Sequence, residues 1–170
     1  DVGISEAVIK NWLNILEASG IIYLLQPYFS NVTKRLIKTP KLYFMDTGLC
    51  SFLSGWMTDE VLQRGAMSGA ILETYVVTEI IKSYIHNARK PNLYFYRDKD
   101  KKEIDLLISQ NGKLYPIEIK KAGYIRKEHY QNFSCLKKFD VEIGEGAVIS
   151  LVDDLLHLEK NINAVPVWWI

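Results

Sequence analysis

Cysteine is nearly missing from this chain: Cys50 and Cys135 are the two among 170 residues. Two thiols this far apart build no disulfide framework and no cysteine-based metal site, and they suit a reducing cytoplasm. Histidine is almost as scarce. His86, His129 and His157 are scattered without zinc-ligand spacing. His129 falls on a helix expected after Lys120 and reads as a surface residue, the alternative being that it faces the site to which Lys120 belongs. No apolar run is long enough to cross a bilayer and no secretory leader is visible. An excess of one charge is lacking too. The net charge is +1, so no global field marks a nucleic-acid binder. The chain has no Walker phosphate loop, no dinucleotide fingerprint and no nucleophile elbow, and so lacks the signatures of three large enzyme classes. It also shows no internal repeat and no low-complexity linker.

What is there is a globular composition, 48% hydrophobic, with enough residues for one domain or one domain with a small attachment. The most informative stretch is a hairpin. Glu103-Ile104-Asp105-Leu106-Leu107-Ile108 and Pro116-Ile117-Glu118-Ile119-Lys120 flank Gln110-Asn111-Gly112-Lys113. Asn-Gly between β-type runs signals a two-residue type I′ turn, because both central residues need positive φ. With Gln110 paired to Lys113, Asp105 falls opposite Glu118, and Lys120 shares their face. Ile104, Leu106, Ile108, Ile117 and Ile119 are then expected on the other face. Like charges opposed across a sheet destabilise it. A divalent cation is the simplest use for such a pair, since Mg²⁺ takes one or two carboxylates plus waters and substrate phosphates. A neighbouring lysine could orient or activate a water, or stabilise charge on a phosphate. The alternative is a solvated strand face of mixed charge.

Gly69 to Ile81 reads as a largely buried helix, with Leu72, Val76, Val77, Ile80, Ile81 and Tyr84 at apolar spacing. Glu73 sits among these apolar neighbours. Glu79 lies six residues on, about 240° around a helix, so the two cannot face one ion. Glu73 is either a ligand reaching the hairpin or a helix-start residue favoured by the macrodipole.

Basic residues cluster at Lys34, Arg35, Lys38 and Lys41, at Lys99, Lys101 and Lys102, and at Lys120, Lys121, Arg126 and Lys127. Each cluster alone is more often a solvated turn than a binding surface. Together they crowd a candidate phosphate-cutting site. Lys34, Arg35, Lys38, Lys41 and Lys121 are therefore expected on a nucleic-acid backbone, DNA in the first instance.

The first part of the chain is organised separately. Ser5 to Gly20 predicts a helix with Ser5 as N-cap, Gly20 at the left-handed C′ position, and Val8, Trp12, Ile15 and Leu16 as its apolar stripe. A strand at Ile21 to Leu25, a basic loop, and a returning strand at Lys41 to Met45 follow. This is the order of a partial winged helix. Asp46-Thr47-Gly48 reads as a turn or helix start. Later elements are a strand at Leu93 to Arg97, a helix at Arg126 to Phe139 with Tyr130, Phe133 and Leu136 inward, and a strand at Ala147 to Leu151. An edge strand is expected at Val165 to Ile170, where Pro166 favours an edge. Trp168 and Trp169 are expected in the core or an interface rather than as a stacking platform for bases.

Asp105, then Glu118-Ile119-Lys120 thirteen residues later, resembles the PD-(D/E)xK nuclease superfamily, with Ile104 where the usual proline stands. That resemblance implies Mg²⁺ or Mn²⁺ on Asp105 and Glu118, Lys120 on the water or phosphate, and Glu73 as a further acidic ligand from the preceding helix. Most of the chain also resembles the C-terminal region of prokaryotic AAA-type ATPases carrying the domain of unknown function 4143. Gly3-Ile4-Ser5, Leu16-Glu17-Ala18-Ser19-Gly20-Ile21-Ile22, Pro27-Tyr28, Gly69 to Glu73 and the hairpin carry it, and the run Lys34 to Leu49 is the most specific stretch. It implies a mixed α/β, restriction-endonuclease-like domain over residues 51–170, a partial winged-helix segment over residues 1–50, and a missing N-terminal ATPase module that alone would bind ATP. The chain begins at Asp1, consistent with that expectation. Two functions stand: a metal-dependent nuclease, or a non-catalytic module binding nucleic acid or a partner of the ATPase.

Overall fold

The computed structural model describes residues 3–29 and 39–170. Lys34, Arg35 and Lys38, expected on a nucleic-acid backbone, lie outside the described residues. The architecture is mixed α/β: one mixed sheet flanked by helices.

Helix α1 (Glu6–Ala18) starts where the Val8 N–H donates to Ser5 Oγ and ends before Gly20, whose φ is +72°. Both ends are those the sequence signals. Its apolar stripe is not covered, however: Trp12 and Ile15 are exposed. Strands β1 (Ile22–Pro27) and β2 (Lys41–Phe44) pair antiparallel. The end of β1 then turns parallel to β3 (Leu93–Arg97) through Gln26 and Pro27. The N-terminal strands are therefore part of the same sheet as the hairpin, and hydrogen bonds cross the boundary expected at residues 50/51.

Two short helices, α2 (Thr47–Leu53) and α3 (Asp59–Arg64), lead to the long α4 (Ser68–His86). Asp46 caps α2 by accepting from the Leu49 N–H at 2.7 Å, so its role is structural. Beyond β3 come β4 (Glu103–Gln110), β5 (Lys113–Lys120), the two-residue β6 (Glu142–Ile143), β7 (Gly146–Ser150), β8 (Leu156–Glu159) and β9 (Ile162–Pro166). Among the described residues the strand order is β2-β1-β3-β4-β5-β7-β9-β8, with β6 beside the start of β5.

Two cores sandwich the sheet. On one face, Val76, Val77 and Ile81 of α4 pack on Leu25, Phe95, Leu106, Ile117, Ile119 and Ile149. On the other, Tyr130, Phe133 and Leu136 pack on Ile104, Leu107, Val148 and Ala164. That second layer is not the α-helix expected over 126–139 but two 3₁₀ turns, Lys127–His129 and Gln131–Lys138. Tyr130, Phe133 and Leu136 recur every three residues, which aligns them on one side of a 3₁₀ helix, whereas an α-helix would rotate them apart.

The C-terminus also differs in part from expectation. Strand β9 lies between β7 and β8 as far as Ala164, whereas Val165 and Pro166 pair with β7 alone, the edge position expected of that proline. Pro166 is tolerated because it is the last ladder residue, paired with Ser150. Trp168 and Trp169 sit on a 3₁₀ turn and are more than half exposed, so they are not core residues.

Candidate active site

The β4–β5 hairpin forms with Asn111 at φ +52° and Gly112 at φ +75°, and Gln110 pairs with Lys113. Its ladder ends at Leu106–Ile117; continued one step outward, the register would set Asp105 opposite Glu118. Alternation fails there. The β3–β4 register shifts between Tyr94–Leu107 and Tyr96–Ile104, which inserts one extra residue into β4 at the position of Asp105 and Leu106. Hence Leu106 packs with α4, while Ile104 lies in the opposite core, not beside Leu106 as simple alternation requires. An unbroken ladder would pair Ile119 with Ile104. Instead the Ile119 N–H donates to Asp105 Oδ2 at 2.9 Å. The aspartate carboxylate thus lies in the seam between the strands.

Each oxygen of Asp105 meets a different lysine. Oδ2 is 3.6 Å from Lys120 Nζ, and Oδ1 is 3.9 Å from Lys41 Nζ. Lys120 also donates to Glu118 Oε1 at 2.8 Å. On the other side, Lys41 donates to Glu73 Oε1 at 2.9 Å and pairs with Glu103 Oε1 at 2.5 Å. The Tyr43 hydroxyl donates to the same Glu73 oxygen at 2.6 Å. Arg97 closes the outer side of Glu103. Glu73 lies beyond the first turn of α4, where the macrodipole has faded, so its environment comes from Lys41 and Tyr43.

Asp105, Glu118, Lys120 and Glu73 are thereby brought into one charged network, but not around one point. Lys41, expected on a nucleic-acid backbone, stands inside this network. Lys121 stands outside it, donating to the backbone carbonyl of Gln63. His129 accepts from the Arg126 N–H and takes no part. Sequence reasoning missed Glu103 and Tyr43. The signal was available: Glu103 is two residues before Asp105, and Tyr43 two after Lys41, so each shares a strand face with a neighbour of known charge.

Electrostatics follow from burial. Glu118 and Asp105 are 6% and 8% exposed. Burial, then the charge of Asp105, pushes the Glu118 carboxyl up to about 7, with Lys120 and the Asp105 backbone opposing. Asp105 is raised by burial and by Glu73, against the pull of Lys120, the Ile119 N–H and Lys41. Burial disfavours the charged forms of Lys41 and Lys120, but their carboxylate neighbours outweigh it and hold both ammonium groups above the usual range. Lys120 is therefore a cation at neutral pH, suited to stabilising charge and orienting a water rather than to accepting a proton. Among the described residues, two buried side-chain polar atoms lack a partner: Glu118 Oε2 and Ser150 Oγ. They lie on adjacent strands, where Lys120 pairs with Ser150.

A family model described as a domain of unknown function (DUF4143) matches residues 68–170. The chain belongs to the DUF4143 family. A second family model, also a domain of unknown function (DUF8612), matches residues 1–60. Uncharacterized proteins of Mycobacterium bovis and Mycobacterium tuberculosis are each 30% identical over 163 residues, which is 96% of this chain and 35% of theirs. The chain thus spans about a third of the length of these relatives. No solved structure matches. The DUF4143 match begins at the start of α4 and takes in Glu73, Asp105, Glu118 and Lys120, whereas Lys41 and Tyr43 fall in the DUF8612 match. Among the described residues no helix is long and apolar enough to cross a membrane.

Proposed function

We propose that this DUF4143 chain carries a metal-dependent nuclease site of the PD-(D/E)xK kind that hydrolyses DNA phosphodiesters. The observation that carries the reading is the buried Asp105–Glu118 pair, which leaves Glu118 Oε2 without a partner beside the Lys120 ammonium. An unsatisfied buried carboxylate oxygen is costly and is the kind of atom a cation would satisfy.

Among the described residues no three His, Cys, Asp or Glu side chains converge on a metal position. The reason is visible: Lys41 and Tyr43 take the Glu73 carboxylate. The two remaining acids still fit Mg²⁺ or Mn²⁺, because such ions use one or two carboxylates and complete their shell with waters and phosphate oxygens. When bound, the ion would polarise the scissile phosphate and acidify a water. Asp105 and Glu118 would hold it, with Ile119 fixing the orientation of Asp105. Lys120 would remain protonated and meet the negative charge that develops on the phosphate. Glu73 would act through Lys41. The order of β3, β4, β5 and β7, with α4 across them, supports a restriction-endonuclease-like reading of this half.

The wider proposal is a C-terminal part of a prokaryotic AAA-type ATPase working in the cytoplasm. The length of the mycobacterial relatives leaves room for an ATPase module, which would be the partner of this region and the site of ATP. The helix and the antiparallel β1–β2 pair at the N-terminus, with basic residues in the sequence between the two strands, support a partial winged helix on DNA, with Lys34, Arg35, Lys38, Lys41 and Lys121 as the expected backbone contacts. Of these, Lys41 is now better read as a site residue. The second reading, a non-catalytic module, draws on one observation: Lys41 and Lys120 already neutralise much of the acidic cluster.

The deciding experiment is a cleavage assay on branched, duplex and single-stranded DNA with Mg²⁺ or Mn²⁺, comparing wild type with Glu118→Ala. Metal-dependent cutting that the variant loses supports the nuclease. DNA binding without cutting in either protein supports the module.

A further inference from the structure

Lys41 comes from β2, in the N-terminal segment, yet its ammonium lies at the centre of three carboxylates contributed by α4 and β4. Glu73 Oε1 is at 2.9 Å, Glu103 Oε1 at 2.5 Å and Asp105 Oδ1 at 3.9 Å. The lysine side chain is 19% exposed. The Phe95 ring lies beneath its ammonium, 5.5 Å to the centroid. Two further groups complete the surroundings: Tyr43 donates to Glu73, and Arg97 pairs with Glu103. The three acidic oxygens are of the type a divalent cation takes, but as they stand they surround a lysine ammonium and do not converge on a metal position.

We propose that Lys41 is a built-in cation filling a second metal position, so that the site accepts no more than one divalent ion. The inference rests on the nuclease reading of Asp105 and Glu118, and deepens it by assigning metal stoichiometry to a residue outside the catalytic hairpin. Asp105 joins the two positions. One of its oxygens faces Lys41, and the other faces the Glu118–Lys120 side. Two cation places therefore flank a single carboxylate, as in two-metal phosphodiesterase sites, where the ions share a ligand and lie close together. Here Lys41 sits among the acids of the first place, while Lys120 stands beside the second at the Glu118 Oε1 edge and leaves Glu118 Oε2 without a partner. Removing the ammonium would leave Glu73, Glu103 and Asp105 without their shared cation, with Tyr43 and Arg97 still on two of them, and a hard divalent ion is the replacement their oxygens favour.

The test is a count of bound ions. Mn²⁺ is titrated into wild type, Lys41→Met and Lys41→Gln, and bound metal is read by equilibrium dialysis and by electron paramagnetic resonance. Circular dichroism checks the fold of each variant. Each folded Lys41 variant should bind one ion more than wild type, and adding Glu73→Gln should remove that extra ion. If wild type also holds one ion, the variant spectra should show the spin coupling of two nearby Mn²⁺ ions. Two ions bound to wild type would overturn the proposal without any variant. So would folded Lys41 variants that bind no more metal than wild type. Wild type binding no ion while the variants gain one would sustain Lys41 as the built-in cation and defeat the nuclease reading instead. The two failures are thus separable.

Discussion

The backbone N–H of Ile119 donates to the carboxylate of Asp105, 2.9 Å away, where an unbroken ladder would send it to Ile104. One side-chain oxygen thus replaces a backbone acceptor and ends the β4–β5 ladder. The displacement fixes Asp105 in the strand seam, with a different lysine at each oxygen. The backbone N–H thus orients the Asp105 carboxylate.

Lys120→Ala and Asp105→Asn should separate chemistry from metal binding. Lys120→Ala is expected to keep Mn²⁺ affinity, because the proposed ligands remain, and to lose about a hundredfold or more in cleavage rate. Asp105→Asn is expected to lose both, since it removes charge from the ion. Calorimetric titration beside timed cleavage makes the comparison. Equal residual activity in wild type and both variants would assign the cutting to a contaminant.

Metal-free stability should fall as pH rises through the range where Glu118 ionises. Its folded value, about 7, lies above the ordinary 4.5, so the folded state holds the proton more tightly than the unfolded chain. The associated stability is fully present below pH 4.5 and is lost as pH climbs towards about 7. Asp105, also raised, adds a loss of the same sign. Urea unfolding across this range, with chelator, should show the decline. Saturating Mn²⁺ should reverse it, because the ion binds the deprotonated pair. An unchanged slope with Mn²⁺ would argue against metal at these carboxylates.

Asp105→Asn should also stabilise the metal-free protein near neutral pH. It removes one of two buried like charges, while an amide oxygen can still accept from Ile119. Glu118 should titrate closer to the ordinary carboxylate range in that variant. Carboxyl chemical shifts measured across a pH series would show it, and an unmoved Glu118 would mean that burial alone raises it.

Tyr43→Phe should destabilise by about 1.5–3 kcal/mol, the usual worth of a hydrogen bond to a charged group. Burial, and then Glu73, holds the tyrosine hydroxyl protonated, so this bond is expected to persist throughout the neutral range. Thermal melting of the variant measures the loss.

Replacing Lys34 and Arg35 with alanine should weaken DNA binding and flatten its salt dependence, by a slope of about one for each phosphate no longer neutralised. Binding isotherms at several salt concentrations give the slope. An unaltered slope would assign these two residues to the fold or to a partner.

Much of the hairpin was legible in the sequence. Asn111-Gly112 fixed the turn because both residues must take positive φ, and turn length then fixed the pairing of Gln110 with Lys113. The caps of α1 and the buried face of α4 followed from local chemistry and periodicity in the same way. These are properties of a few consecutive residues, and short-range sterics decide them.

What only the tertiary structure decided involves partners distant in sequence. The β-bulge at Asp105 depends on how β3 meets β4, and it moved Ile104 to the opposite core. The three-residue spacing of Tyr130, Phe133 and Leu136 was visible, but the fit against β4 and β7 selected 3₁₀ turns over an α-helix. Pro166 was read as an edge signal, and it lies where β9 has β7 alone beside it, but the earlier part of that strand, Ile162–Ala164, is covered by β8. Above all, Lys41 is 32 residues from Glu73. Its basic neighbours in sequence suggested a phosphate-binding loop, whereas the sheet that joins β2 to β1, β3 and β4 carries it into the acidic cluster. Sequence by itself determined which residues carry charge and which local turns they flank; the three-dimensional packing decided which charges meet, because burial makes each buried acid depend on the cation the fold delivers.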